Sequence, residues 1–125
     1  MTREPASVAE DCPLESALER MRMAGIRHLL VFDGERLSGI VSNRDLNRLV
    51  VADVRSPALA EPVSRIMSEN PVTVAPDTAV TVAARLLLEM KIGALPVRDG
   101  DDIIGIFTIS DALEALLAML ERPGA

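Results

Sequence analysis

The sequence lacks tryptophan and tyrosine and has only two phenylalanines, Phe32 and Phe107. Its core must therefore be aliphatic, and a hydrophobic fraction of 49% is enough to build one. One cysteine excludes an internal disulfide, and one cysteine with one histidine leaves a structural zinc site short of ligands. No Ser/His/Asp or Cys/His constellation stands out, so no catalytic residue is assigned, no enzyme is expected and no cofactor is required. A net charge of −6 without a basic stripe argues against nucleic acid as a partner. No run approaches the roughly 20 apolar residues that span a bilayer. The opening "MTREPASVAEDCPLE" is too acidic and polar for a signal peptide. These absences lead to the expectation of a cytoplasmic protein that engages neither nucleic acid nor membrane.

What is present is a repeat. Shifting the chain by 66 positions sets Ile26, Leu29, Val31, Asp33, Gly34, Gly39, Ile40 and Asp45 on Ile92, Leu95, Val97, Asp99, Gly100, Gly105, Ile106 and Asp111, without a gap. Ser42 meets Thr108, and the same shift pairs Pro5 with Pro71 and Val8 with Val74. Each copy reads as β-α-β-β-α. A short extended piece leads to Asp11 or Asp77 as expected N-cap, then to helices over about 13–24 and 79–90. Two β-rich runs follow, joined at Asp33-Gly34 and Asp99-Gly100, where positive φ is expected at both turn positions. A second helix begins near Asn43 and near Ile109. This predicts repeat 1 over 1–50, a proline-bearing connector over 51–66 and repeat 2 over 67–125. The fold class is α/β (α+β). So few strands cannot bury a sheet face alone, so two sheets packed face to face about a pseudo-two-fold axis, helices outside, are expected.

The strand-to-helix corners "GIVSNRDL" and "GIFTISDA" share the pattern Gly-x-x-Ser/Thr-x-x-Asp. One reading is a helix capping box, although Asp reaches back less well than Glu or Gln. The other is a ligand site. A helix N-terminus attracts anions, a hydroxyl there bonds phosphate, and an Asp one turn in suits a ribose diol. The glycine inside each strand implies that something approaches the backbone closely, for which a flat ring is a candidate. Both readings can hold together, because the hydroxyl can cap when the site is empty.

Over nearly its whole length the chain resembles a tandem pair of CBS domains, the unit often called a Bateman module. The stretches that carry the resemblance are "IRHLLVFDGERLSGIVSNRDL", "IGALPVRDGDDIIGIFTISDA" and "IMSENPVTVAPDTAV". The resemblance implies a stand-alone regulatory module that senses an adenosyl nucleotide (AMP, ADP or ATP) and signals through an unidentified effector chain. It implies that Asp45 and Asp111 hold ribose hydroxyls, with Ser42 and Thr108 near the phosphates. It adds Ser7 and Thr73 from the first strands, and Arg27, His28, Leu30, Gly93, Ala94 and Pro96 from the turn into the next strand. Gly39 and Gly105 complete the motif. The family favours Pro in "LPV", where the first copy has Leu30. The alternative is a ligand-independent dimerisation or adaptor module with a degenerate cleft.

The copies differ in charge. Arg27-His28 lies opposite Gly93-Ala94, and Arg44 opposite Ser110, so a phosphate is expected at the first site and a less charged ligand, or none, at the second. The last helix carries Leu113, Leu116, Leu117, Met119 and Leu120, more apolar surface than one stripe can bury. A homodimer through helices 79–90 and 111–121 is expected.

Overall fold

The computed structural model describes residues 2–3, 5–52 and 57–122. Residues 53–56 of the expected connector lie outside the described residues, as do residues 1, 4 and 123–125. In chain order the elements begin with β1 (Thr2–Arg3), β2 (Ser7–Ala9), α1 (Leu14–Ala24), β3 (His28–Asp33) and β4 (Arg36–Ser42). There follow α2 (Asn43–Ala52), two 3-10 turns at Pro57–Ala60 and Val63–Arg65, and β5 (Ser68–Glu69). The chain continues through α3 (Val80–Met90), β6 (Ala94–Asp99), β7 (Asp102–Thr108) and α4 (Ile109–Leu120). No described helix is long and apolar enough to cross a membrane.

The described chain divides into two compact units, residues 6–71 and residues 1–5 with 72–125. In the first, the sheet order is β2-β3-β4-β5, with β2 parallel to β3 and the rest antiparallel. In the second, the order is β1-β7-β6, and the piece expected as its first strand contributes a single parallel bridge, Val74 to Val97. The two short antiparallel edge strands occupy equivalent places. Thr2 and Arg3 pair with Ile106 and Gly105, while Ser68 and Glu69 pair with Ile40 and Gly39, the same partners shifted by one repeat. The residues that open each repeat thus complete the sheet of the other repeat.

Alternation along the strands divides each sheet into two faces. In residues 6–71, Leu29, Val31 and Val41 pack with Leu14, Ala17 and Met21 of α1, with Leu46 of α2 and with Val63. In the other unit Leu95, Val97 and Phe107 pack with Ala83 and Leu87 of α3. The opposite faces carry His28, Leu30, Ile40 and Ser42 in one unit and Ala94, Pro96, Ile106 and Thr108 in the other, each set paired across its hairpin.

Local chemistry departs from expectation at two points, the helix N-caps and the hairpin loops. Asp11 and Asp77 do not cap the following helices; the N-cap positions are Pro13 and Ala79, without a side-chain cap. At α1 a main-chain carbonyl takes that role, since Leu14 N–H donates to Glu61 O at 2.8 Å. The hairpin loops are Gly34-Glu35 and Gly100-Asp101, and only the glycines take positive φ, at 62° and 63°. Asp33 and Asp99 remain in the strands, so a loop led by glycine makes the turn. Gly25 closes α1 in the left-handed region, as its lack of a Cβ allows, whereas Lys91 takes the same conformation after α3.

Candidate functional site

β3 begins where β4 ends, so that His28 lies directly across the ladder from Ser42. Facing residues of an antiparallel pair project to one side of the sheet, which sets the imidazole beside the hydroxyl. The chain then turns into α2, and Asn43 N–H donates to Arg27 O at 2.7 Å, fixing the corner against the start of β3. Ser42 Oγ donates to Asp45 Oδ2 at 2.8 Å and accepts from Asp45 N–H at 3.2 Å. The carboxylate is therefore held half-buried one turn into the helix, next to the hydroxyl. Arg27 and Arg44 are exposed, and neither is ion-paired with a carboxylate among the described residues. Ser7 on β2 lies beside the buried Leu30, extending the same surface by one strand.

His28 is half-buried, and desolvation holds its pKa below the usual 6.5. Two smaller effects oppose each other: the Asp45 carboxylate raises it and the Arg27 guanidinium lowers it. The corner thus joins a hydrogen-bonded hydroxyl–carboxylate pair, two exposed guanidiniums and an imidazole. This donor set can bind an anion and a diol together.

The second corner repeats the geometry with different chemistry. Ala94 lies across from Thr108, Ile109 N–H donates to Gly93 O at 3.2 Å, and Pro96 is buried where Leu30 stands in the first copy. Thr73 precedes Val74, whose N–H donates to Pro96 O at 3.0 Å. Here the capping box is complete. Asp111 N–H donates to Thr108 Oγ1 at 3.3 Å, and Thr108 N–H donates to Asp111 Oδ2 at 2.8 Å. Asp111 is thus engaged with its own main chain, and the exposed Ser110 replaces the arginine of the first copy.

At the glycine of the first motif the chain itself makes a close approach. Gly39 lies across from Val31 on the core side of β4. A Cβ there would come within 2.6 Å of Met67 Sδ and 2.8 Å of Ser68 O. The close approach is made by the chain itself as it enters β5, and Gly105 stands at the equivalent pairing with Arg3 of β1. Sequence reasoning missed this because β5 is two residues long, too short for any periodicity.

Two shallow concavities lie on the helical side of residues 6–71. One, of about 440 Å³, is lined by Met21, Arg22, Ile26, Arg27, Asn43 and Asn47 among others. The other, of about 520 Å³, includes Cys12, whose thiol burial and, to a lesser degree, Asp11 hold protonated. Among the described residues no group of three or more His, Cys, Asp or Glu side chains is arranged to hold a metal ion.

Comparison with known proteins gives this geometry a context. A CBS domain protein of Dictyostelium discoideum is 34% identical over 135 residues, covering 97% of this chain and 90% of its own. Further curated relatives are several times longer, the chain spanning 20–26% of their length. A protein with CBS domains from Burkholderia ambifaria MC40-6 superposes with a TM-score of 0.86 at 31% identity, covering 99% of this chain and 90% of its own. CBSX2 of Arabidopsis thaliana, solved in complex with AMP, superposes with a TM-score of 0.81 at 32% identity, covering 98% of this chain and 95% of its own. The family model of the CBS domain matches twice, at residues 1–52 and 63–118. The mixed α+β units, their repeated corners and these likenesses agree: the chain belongs to the CBS domain family and carries two copies of that domain.

Proposed function

We propose that this chain is a regulatory module, not an enzyme, that binds an adenosyl nucleotide at the β4–α2 corner and signals through a partner chain in the cytoplasm. The observation that carries the reading is the hydroxyl–carboxylate pair of Ser42 and Asp45, with the exposed Arg27 and Arg44 close by in the chain. A relative 32% identical and of nearly the same length was solved in complex with AMP, which supports the ligand class. Asp45 accepts from the ribose hydroxyls, Ser42 and the two arginines hold phosphate, and Ser7, His28 and Leu30 line the remainder. Gly39 serves this site indirectly, by admitting β5 beside β4.

The second site, comprising Thr73, Gly93, Ala94, Pro96, Gly105, Thr108, Ser110 and Asp111, has no cation at the equivalent positions. A ligand there must displace part of a formed capping box. The first site is therefore the tighter one for AMP, ADP or ATP. Calorimetry with AMP, ADP, ATP, NAD and S-adenosylmethionine tests the reading. Asp45→Ala is expected to weaken nucleotide binding about tenfold to a hundredfold, the range for a hydrogen bond to a charged group, and Asp111→Ala to matter less. Silence from every adenosyl ligand would leave the alternative, a ligand-independent dimerisation or adaptor module.

That second reading also has its observation. Val80, Val82, Leu88 and Met90 of α3 and Ile109, Leu113, Leu116, Leu117, Met119 and Leu120 of α4 are all exposed, between 46% and 79%. The counterpart of α3 in the first repeat, α1, exposes Glu15, Ser16, Glu19, Arg20 and Arg22 instead, with Met23 the one large apolar group. An apolar surface of this size calls for a partner. A homodimer through helices 79–90 and 111–121 accounts for it whether or not nucleotide binds.

A further inference from the structure

The charge difference between the two corners includes an imidazole, a group whose unperturbed pKa of about 6.5 lies close to neutral pH. His28 is the only histidine of the chain, and it opens β3 at the place where Ala94 opens β6. Its cross-strand partner is Ser42, the hydroxyl that bonds Asp45, so it shares one sheet face with the groups assigned above to ribose and phosphate. Among the described residues the charges that act on it are Asp45 of α2 and Arg27 of the turn before β3. Neighbouring β2 (Ser7–Ala9) has no titratable side chain, and the one charged residue of β4, Arg36, sits at the far hairpin end against Asp33. Among the described residues Asp45 is the carboxylate whose charge acts on the imidazole, and it is half-buried and hydrogen-bonded to Ser42.

We propose that His28 couples ligand binding at the first site to proton uptake, so that an imidazolium forms beside a bound phosphate and the site holds an adenosine phosphate more tightly as pH falls. The inference rests on the nucleotide reading of the first corner. In the free protein burial keeps His28 neutral near pH 7. A phosphate brought to the same face adds negative charge at short range and favours the charged form. The proton taken up strengthens the attraction, and the gain disappears at a pH where the imidazole stays neutral even with ligand bound. The second corner has alanine at this position and no such coupling. The first site would then respond jointly to nucleotide and to acidity.

A single histidine makes the test direct, because its Cε1–H resonance in a proton NMR titration needs no assignment. The full chain is titrated with and without saturating AMP, binding being established independently by calorimetry. The expected result is a midpoint below 6.5 in the free protein that rises by about one unit with AMP. A one-unit rise means an affinity about ten times greater in acid than in base. His28→Gln serves as reference for the titration of AMP itself, whose phosphate has a pKa of about 6. The wild-type advantage over this variant should shrink between about pH 5.5 and about pH 8. AMP that binds without moving the midpoint, or with a pH-independent ratio between wild type and His28→Gln, overturns the proton coupling and leaves the nucleotide reading standing. Absence of binding by AMP, ADP, ATP, NAD and S-adenosylmethionine at every pH overturns both.

Discussion

A Cβ at residue 39 would sit 2.8 Å from Ser68 O, a main-chain atom that cannot step aside as the flexible Met67 side chain can. Gly39→Ala should therefore push β5 off β4 or distort the pair, costing about 1–3 kcal/mol as overpacking does. A lower midpoint in thermal unfolding checks this, with Gly34→Ala as the contrast: its neighbourhood is open and only its positive φ is strained. His28 carries the pH dependence at this scale. Its folded pKa lies below the unfolded value of 6.5, so folding favours the neutral form. The stability present above 6.5 is lost as pH falls through the lowered folded value, because the unfolded chain binds the proton first. Urea denaturation at about pH 7.5 and about pH 5.5 should show a smaller loss in His28→Gln than in wild type.

Among the elements, the helix starts separate two ways of satisfying the same orphan N–H groups. At α4, Thr108 and Asp111 do it with side chains. Thr108→Ala should cost about 1 kcal/mol, read as a shift in the denaturant midpoint. At α1 the carbonyl of Glu61 does it, so Asp11→Ala should change stability by less than about 0.5 kcal/mol despite its place before the helix. A serine or aspartate before an apolar run identifies that a helix begins, but which group caps it depends on what the tertiary fold brings there. The hairpins teach the same lesson: Asp-Gly marked both correctly, while pairing through Asp33–Arg36 and Asp99–Asp102 moved the loop one residue onward.

For the molecule as a whole, the contrast between a polar α1 and the apolar faces of α3 and α4 sets the expected association. Leu117→Glu places a charge on a face that would be desolvated in a dimer, without touching either core cluster. Sedimentation should show a concentration-dependent dimer for wild type and a monomer for this variant, with the monomer still folded by circular dichroism. A wild-type chain that remains monomeric at high concentration would remove the homodimer and leave the apolar face to a different partner.

By itself the sequence determined the duplication, the order of helices and hairpins, the family and the two corners, because each depends on local pattern or on identity at a fixed offset. Leu29, Val31 and Val41 alternate with His28, Leu30 and Ile40, so even the two faces of the sheet were legible once the strands were placed. Only the tertiary structure decided why Gly39 is glycine, which group caps α1, and that Thr2–Arg3 joins the sheet of the later repeat. These are contacts between segments far apart in the chain, made by two-residue strands and single carbonyls. Such contacts leave no periodicity behind, since their energy comes from the neighbour that arrives and not from the residues that receive it.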